Sequence, residues 1–296
     1  MVKTKDCGDS SLWNLEAKIL EKRRAGQGRR SIARDLHISE KKVKSILNPG
    51  NQRILLLDIE NTPNIGYTWA KYEQNVIDMV KDWYLLSFAV KWLGSDKVEV
   101  FTLADMPGFS RNKSCDKALC EKLFGFIDRA EIIVAHNGDK HDLKKINARF
   151  AVHGLEVPSP YKTVDTLKLA KRHFGFSSNK LGDLGRQLNL GEKLEHSGFD
   201  LWKSCMAGDK ASFKLMAAYN KQDVVLLERV YLKLRSWSTG HPSVTTDSSV
   251  KCQICGSDNV QRRGYNYSRR GRAKRWQCKD CGGWSMGGYE RRYTDT

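Results

Sequence analysis

The sequence predicts an α/β fold for the middle of the chain, in which a mixed β-sheet is flanked by helices. Two observations predict it. Compact apolar runs typical of strands lie at residues 53–58, 84–92, 98–103 and 131–135. The first three follow one another as hairpin-compatible strands, and helices and strands alternate after them, which is the order expected of a mixed sheet with helices packed on it.

Helical periodicity accounts for most of the remaining middle segment, residues 51–235. It predicts helices at about 116–129, 140–153, 165–174, 180–188 and 209–234. A small helical module precedes this segment at residues 1–50. A linker rich in Ser, Thr, Gly and Pro follows at residues 236–250, and a cysteine-rich module occupies residues 251–296.

Positive charge is concentrated in the two end modules. The chain of 296 residues has 51 Lys and Arg against 34 Asp and Glu, a net charge of +17. The excess of Lys and Arg is six in residues 1–50, four in residues 51–250 and seven in residues 251–296. Charge that only solvates a surface would not be segregated in this way. We therefore expect the ends to bind nucleic acid and the nearly balanced middle to carry the chemistry.

Membrane and secreted classes are not indicated. No apolar stretch approaches the roughly 18–20 residues that cross a bilayer, and the longest apolar run covers residues 83–90. The first ten residues mix Lys with Asp and lack the apolar segment of a secretory signal. We expect a soluble, cytoplasmic protein with no membrane partner.

Apolar positions between residues 12 and 47 predict three short helices. Only residues 37–39 join the second helix to the third, and this tight connection is typical of a helix-turn-helix. Ser39 can cap the third helix. The exposed face of that helix would contact DNA through Lys41, Lys42 and Lys44. A helical protein-interaction module is the alternative.

The first candidate catalytic cluster is the pair Asp58 and Glu60, at the end of the first predicted strand. Side chains two residues apart on a strand point to the same face, while Ile59 points to the other. Two neighbouring carboxylates repel each other unless a cation lies between them. The pair therefore fits a divalent metal, although such pairs are also common at solvated strand ends.

The second cluster follows the fourth predicted strand, where the chain turns at Asn137 and re-enters as a helix. Two acids compete for a role here. Asp142 projects from the first helical turn beside the apolar stripe, whereas Asp139 lies where an N-cap is expected. We assign Asp142 to metal and Asp139 to capping. Asn137 either stabilises the turn or contacts nucleic acid.

The third cluster is Tyr219 with Asp223, inside the last predicted helix of the middle segment. Residues four apart share a helix face, and this face also carries Met216, Leu226 and Val230. A carboxylate on a buried face needs a partner. A salt bridge to a core Arg is the structural interpretation, and metal binding is the functional one.

In order and residue types, the three clusters resemble the motifs of the DEDDy branch of RNase H-like 3′→5′ exonucleases. The resemblance spans about residues 53–234. Residues 58–62 look like the first motif, and residues 137–142 look like the second as found in family B polymerase proofreading domains. His141 departs from the Phe that is more usual there. Asp165 lies in a feature between the second and third motifs, and we assign it a structural role.

The resemblance implies two divalent ions, Mg²⁺ or Mn²⁺, which carboxylate ligands suit. Asp58, Glu60 and Asp223 would hold one ion, and Asp58 with Asp142 would hold the other. One ion would activate water and the other would stabilise the leaving 3′ oxygen in an in-line displacement. Tyr219 would orient the attacking water, and the products would be nucleoside 5′-monophosphates.

An insertion between the first two predicted strands carries the aromatic residues Tyr67, Trp69, Tyr72 and Trp83. Aromatic side chains of this kind stack on unpaired bases in proteins that bind single strands. The alternative, which we favour, is that they pack the insertion itself.

The cysteine-rich module contains two Cys-x-x-Cys pairs, Cys252 with Cys255 and Cys278 with Cys281, separated by 22 residues. This spacing is typical of a zinc ribbon with four thiolate ligands and of a reducing compartment. The module resembles zinc ribbons of transposases and other DNA-handling proteins, with a structural or protein-binding ribbon as the alternative. The residues expected to contact nucleic acid are Arg262, Arg263, Tyr265, Arg269, Arg270, Arg272, Lys274 and Arg275.

These observations together predict a two-metal-ion 3′→5′ exonuclease that hydrolyses DNA from single-stranded or unpaired 3′ ends. The end modules favour DNA over RNA. A 3′→5′ exoribonuclease of the RNase D type is the first alternative. A non-catalytic DNA-binding regulatory or recombination protein is the second, although a degenerate domain would have no need to keep all four acids and Tyr219.

Overall fold

A computed structural model of the chain describes residues 22, 27–40, 43, 53–72, 75–194, 198–244, 251–269 and 271–290. The chain divides into two compact units, Met1–Gln52 and Arg53–Thr296. None of the helices in the described residues is both long and apolar enough to cross a membrane.

The first unit contains helix α1, Arg29–Asp35, which is followed by a turn with His37 at a φ of 52°. Helical backbone resumes at Glu40, and the Val43 N–H donates to the Ser39 carbonyl at 3.1 Å. Ile32, Ala33 and Val43 form a small buried core. The first predicted helix and the predicted DNA contacts Lys41, Lys42 and Lys44 lie outside the described residues, so the helix-turn-helix stays a prediction.

The second unit is built on a five-stranded mixed sheet, which confirms the predicted α/β class. Its strand order is β5-β4-β1-β6-β7, with β4 antiparallel to β1 and to β5, and with β6 parallel to β1 and to β7. A separate hairpin of β2 and β3 lies between β1 and β4 in the chain. The strands are β1 Ile54–Asn61, β2 Ile65–Tyr67, β3 Asp78–Lys81, β4 Leu85–Trp92, β5 Val98–Thr102, β6 Ile132–Ala135 and β7 Lys162–Asp165.

Among the described residues six α-helices flank this sheet, and five of them lie within a few residues of their predicted bounds. They are α2 Lys117–Ile127, α3 Asp142–Val152, α4 Thr166–His173, α5 Leu181–Gln187, α6 Phe199–Ala207 and α7 Lys210–Leu234. The short helix α6 was not predicted, and neither were β2, β3 and β7.

Helix α7 packs against β1, β4 and β5 and crosses the sheet. Its N-terminus is capped by Asp209, whose side chain accepts from the Ala211 and Ser212 N–H groups. Farther along, Leu227 and Val230 join the buried core beneath β1. Because both parts of the helix are fixed, the residues between them are held at a defined position over β1.

A buried ion-pair network fixes helix α3. The fully buried carboxylate of Asp116 accepts from Arg149 Nε at 2.8 Å, from the Leu85 N–H at 2.8 Å and contacts His153 Nε2 at 2.7 Å. Burial raises the pKa of Asp116, but these contacts outweigh it and hold the pKa below its usual value. The network therefore joins the start of α2 to α3 and β4.

The C-terminal module is a three-stranded antiparallel sheet, β10-β9-β8. Its strands are β8 Val260–Ser268, β9 Gly271–Cys278 and β10 Trp284–Glu290. Part of the predicted linker is ordered, because Arg235–Trp237 form a 3-10 helix and the Val244 N–H donates to the Gln253 carbonyl at 2.8 Å. Residues 245–250 lie outside the described residues.

The contact between α5 and α7 requires a glycine at position 185. A Cβ at Gly185 would lie 2.5 Å from the Gly191 carbonyl oxygen and 2.9 Å from Leu226 Cδ1. We expect Gly185→Ala to lower the free energy of unfolding by about 1–3 kcal/mol, the usual cost of overpacking. Urea denaturation followed by tryptophan fluorescence measures the loss.

Gly175→Ala is the matched control, because nothing lies within 4 Å of a Cβ at that glycine. Equal unfolding midpoints for the two variants would contradict the close approach of α5 to α7.

Candidate active site

Asp58 and Glu60 lie within β1 rather than at its end, because β1 pairs with β4 as far as Asn61. Both carboxylate side chains are partly exposed, whereas Ile59 between them is buried. The strand alternation that the sequence predicts is therefore present, and both acids share the face that α7 crosses.

Helix α7 brings Asp223 to this pair. One carboxylate oxygen each of Asp58, Glu60 and Asp223 lies within 4.8 Å of the other two. Tyr219 and Asp223 are both buried and lie one helical turn apart. The Tyr219 ring packs edge-on against Trp202 of α6, with ring centroids 6.3 Å apart. The unpredicted helix α6 therefore supports the tyrosine.

Lys193 is a site residue that sequence reasoning missed. Its Nζ donates to Asp223 Oδ2 at 2.6 Å and to Tyr219 Oη at 3.1 Å. The salt bridge that the sequence suggested for Asp223 is thus made, but with a lysine from the segment after α5 instead of a core arginine. A single lysine in a loop carries no sequence signal for this contact, since the two residues are 30 positions apart.

Asp142 is the first residue of α3 and is buried beside β1. Its Oδ1 accepts from the Ile59 N–H at 3.3 Å. Asp142 is not one of the three acids whose oxygens come within 4.8 Å of each other. Its charge nevertheless acts on the site, because it contributes to raising the pKa of both Asp58 and Glu60.

The assignment of Asp139 to helix capping is wrong. Asp139 forms an ion pair with Lys168 of α4 at 2.6 Å, and His141 holds the N-cap position of α3 without a side-chain cap. The Asn137–Gly138 turn supplies the acceptor instead, since the Leu143 N–H donates to the Gly138 carbonyl at 3.0 Å. The helix therefore begins two residues later than predicted.

Asn137 adopts a left-handed conformation with φ of 66°, as its role in the turn requires. Its N–H donates to Asp165 Oδ1 at 3.0 Å, and the same oxygen accepts from the Leu167 N–H to cap α4. The structural role predicted for Asp165 therefore consists of holding the turn at Asn137 and capping α4.

The electrostatics of the acid cluster favour a bound cation. Burial, followed by the charges of Glu60, Asp142 and Asp223, raises the pKa of Asp58 well above its usual value. Burial and the Asp223 charge raise the pKa of Glu60 to about 8. Lys193 opposes both shifts without cancelling them. Three converging carboxylates whose repulsion Lys193 offsets only in part are a donor set that fits a hard divalent cation such as Mg²⁺ or Mn²⁺.

Asn220 is a second residue that sequence reasoning missed. Its side chain is fully buried on α7, and its Nδ2 donates to Asp58 Oδ2 at 2.5 Å. Its position next to Tyr219 was visible in the sequence, but its partner is 162 residues away. Only the fold brings the two together.

A cavity of about 840 Å³ borders Asp58. Asn137 lines it, so this residue takes part in the turn and also faces open space beside the acids. Basic and amide side chains line the same cavity: Lys171, Asn179, Lys180, Arg186 and Lys193.

The aromatic insertion is not packed on itself, and that interpretation is wrong for three of its rings. Every described residue from Asn64 to Asp82 is exposed. The side chains of Tyr67, Trp69 and Tyr72 are 63%, 88% and 71% exposed. Trp83 contacts the domain, with Lys145 Nζ of α3 lying 3.9 Å from its ring centroid.

The four cysteines of the C-terminal module converge. The sulfurs of Cys252, Cys255, Cys278 and Cys281 all lie within 4.8 Å of one another. The turn after each pair contains a left-handed glycine at φ of 77°. Four thiolates at this separation are a zinc donor set, so the cluster is compatible with the zinc ribbon that the spacing predicts.

Some of the residues predicted to contact nucleic acid in this module already make contacts within the module. Arg272 and Lys274 form ion pairs with Glu290, and Tyr265 lies between the guanidinium groups of Arg262 and Arg272. Arg270 lies outside the described residues. Four basic side chains are exposed and have no acidic partner within the described part of the chain: Arg262, Arg263, Arg269 and Arg275.

A family model described as the RNase_H superfamily matches residues 80–235, more than half of the chain, and the chain belongs to this superfamily. The match includes Asp142, Tyr219 and Asp223 and begins after Asp58 and Glu60.

Among solved structures, the chain is similar to the family B DNA polymerase from the hyperthermophilic archaeon Pyrobaculum calidifontis, with a TM-score of 0.48 and 15% identity over 62% of this chain. The similarity covers 24% of the polymerase, so the chain spans about a quarter of its length. No curated protein matches the chain.

The raised pKa of Glu60 predicts how stability responds to pH and to metal. Between the ordinary pKa of 4.5 and about 8, the folded protein holds this proton more tightly than the unfolded chain does. The free energy of unfolding of the metal-free protein should therefore fall as pH rises through this range. A divalent cation that replaces the proton should restore it.

We expect Mn²⁺ to raise the Tm more at pH 8 than at pH 5.5, as measured by differential scanning calorimetry. The double variant Asp58→Ala/Asp223→Ala is the control and should show little response to Mn²⁺. The same Tm shift at both pH values would contradict a cation site at these acids.

The cysteine cluster predicts one zinc ion per chain, measurable by mass spectrometry of the metal content. We expect Cys278→Ser/Cys281→Ser to lose this zinc and to unfold the C-terminal module only, because the core of that module consists of little more than Cys252, Ile254 and Cys278. Limited proteolysis locates the unfolded segment. Cys115→Ser, at an exposed cysteine outside the cluster, should keep the zinc, and wild-type protein without zinc would refute the ribbon.

Proposed function

We propose that the chain is a metal-dependent 3′→5′ exonuclease of the DEDDy type that acts on DNA with single-stranded or unpaired 3′ ends. The observation that carries the proposal is the convergence of Asp58, Glu60 and Asp223 on one sheet face of an RNase_H superfamily domain. Tyr219 lies one turn from Asp223, as the tyrosine of that branch requires.

In this proposal Asp58, Glu60 and Asp223 hold one divalent cation, and Asp142 with Asp58 holds a second. Bound divalent cations would supply Lewis-acid stabilisation of the phosphodiester and a water of lowered pKa. The protein contributes the placement of these ligands. Two of them are fixed by neutral donors, Asp142 by the Ile59 N–H and Asp58 by Asn220.

Tyr219 orients water in this proposal, and its protonation state fits the role. Burial and the nearby Asp223 charge raise the pKa of its phenol to about 12. The hydroxyl therefore stays protonated at neutral pH and can donate to a water while accepting from Lys193. Burial lowers the pKa of Lys193, but Asp223 outweighs this effect and keeps the ammonium charged beside the site.

Three surfaces support the proposed substrate class. The wall of the cavity beside Asp58 contains Lys171 and Lys180, which suit phosphates, together with the acids Asp183 and Glu192. The exposed rings of Tyr67, Trp69 and Tyr72 follow β1 in the chain and suit unpaired bases. The exposed arginines of the C-terminal module add binding that does not depend on base sequence. Surfaces that suit phosphates and unpaired bases favour a substrate that is single-stranded at its 3′ end.

The test is hydrolysis of 3′- and 5′-labelled substrates by the full chain, with and without Mg²⁺ or Mn²⁺. The substrates are single-stranded DNA, blunt duplex DNA, duplex with a 3′ overhang, and RNA. We expect metal-dependent release of nucleoside 5′-monophosphates from the 3′ end of single-stranded DNA. Asp58→Ala and Asp223→Ala should each lower the rate by about 10³-fold, since each removes several kcal/mol of charge stabilisation from the transition state.

Asp139→Asn is the matched control, because this acid lies near the site but pairs with Lys168. It should keep near wild-type activity, while Asp142→Asn should lose it. Faster hydrolysis of RNA would favour the exoribonuclease alternative. No hydrolysis of any substrate, together with nucleic-acid binding, would favour the non-catalytic alternative.

A further inference from the structure

Both polar atoms of the Asn220 side-chain amide form hydrogen bonds at the edge of the acid cluster. Its Nδ2 donates to Asp58 Oδ2 at 2.5 Å, and its Oδ1 accepts from Ser87 Oγ at 3.2 Å. Both Asn220 and Ser87 are fully buried. Helix α7 is therefore joined through one side chain to β1 and β4 at the strand that carries the acids.

The carboxylate of Asp58, which can only accept, decides which end of the amide faces it, and the bond from Ser87 holds the amide in that orientation. With the hydroxyl of Ser87 donating to the amide oxygen, the amide NH₂ group is turned towards the carboxylate. A rotated amide would set its oxygen against the carboxylate oxygen, and two acceptors repel. Ser87 is also the strand partner of Glu60. The order Ser87, Asn220, Asp58 is thus a directed chain of hydrogen bonds.

Asp58 lies among the other acids of the cluster. One of its carboxylate oxygens is within 4.8 Å of an oxygen of Glu60 and of an oxygen of Asp223. A carboxylate in that position would turn away from its neighbours unless it were held. A neutral donor to one oxygen fixes the rotation of the carboxylate without occupying the position of a cation.

We infer that Asn220 is a positioning residue for the divalent-cation site. It holds Asp58 in the orientation that cation binding requires. The inference rests on the proposed function, because it assumes that these acids bind metal. Hydrogen-bond partners that orient metal ligands typically contribute 10–100-fold to metal affinity or activity. If Asn220 were purely structural, it would only fill buried space. An apolar side chain of the same size would then replace it without loss of metal affinity.

The test compares Mn²⁺ affinity of the full-length, zinc-loaded chain by isothermal titration calorimetry. Asn220→Leu keeps the side-chain size and removes both hydrogen bonds, and we expect its Mn²⁺ Kd to rise by about 10–100-fold. Ser87→Ala removes only the distant bond, and its Kd should rise about 2–10-fold, the value of one net hydrogen bond. The double variant should be no weaker than Asn220→Leu alone, because Ser87 acts through Asn220.

Tyr231→Phe is the matched control. It removes a buried side-chain hydrogen bond from the same helix, the 2.9 Å contact with His241, at a distance from the acids. Its stability should fall while its Mn²⁺ affinity stays at the wild-type value. Asp58→Ala should abolish the titrated heat and so identifies the site that is being measured.

A folded Asn220→Leu variant with wild-type Mn²⁺ affinity would overturn the inference. Should that variant not fold, an unchanged Mn²⁺ Kd in Ser87→Ala would overturn it equally. Failure of the proposed function has a different signature, namely a wild-type chain that binds Mn²⁺ but hydrolyses no nucleic acid. In that case the comparison of affinities still decides whether Asn220 positions Asp58.

Discussion

The repulsion among carboxylates at the meeting point of β1, α3 and α7 is the constraint on which the rest of this site depends. Like charges brought together in a partly dry environment raise each other's pKa, and the folded chain must hold them there against that cost. Each of three acids is held by a different kind of group. A backbone N–H binds Asp142, an amide binds Asp58 and an ammonium binds Asp223.

The rest of the domain makes this arrangement rigid. Core side chains hold the C-terminal half of α7 against the sheet, and the Asp209 cap fixes its start. The buried carboxylate of Asp116 holds α3 through Arg149 and His153. Each anchor fixes an element that carries an acid, so the cost of bringing like charges together is met by packing and ion pairing elsewhere in the domain.

The sequence was sufficient for features whose signal is local. Strand alternation placed Asp58 and Glu60 on one face, and helical spacing placed Tyr219 one turn from Asp223. The four clustered cysteines were likewise visible from their spacing. Asn220 and Lys193 could not be found in this way, because each contacts an acid far away in the chain. The capping role of Asp139 failed for a related reason, since the Asn137–Gly138 turn supplied its own backbone acceptor.

Elements with weak local patterns were also missed. Strand β7 has only two buried residues, Val164 and Asp165, and it forms because it pairs with β6. Helix α6 is a short helix between two glycines, and its Trp202 packs against the ring of Tyr219. The partner of β7 is a distant strand that no short window of sequence contains, whereas α6 packs on α7, the helix that directly follows it.

The same electrostatics separate catalysis from binding in the proposed enzyme. A cluster of acids repels a polyanion, so the acids cannot themselves provide affinity for nucleic acid. Lys193, which offsets part of their charge, is already engaged by Asp223 and Tyr219. In this proposal affinity for nucleic acid comes from other basic side chains of the cavity wall, Lys171 and Lys180, and from the exposed arginines of the C-terminal module. An enzyme organised in this way would retain its affinity for nucleic acid when one of the acids is replaced. It would also retain its hydrolytic activity on bound substrate when that affinity is weakened.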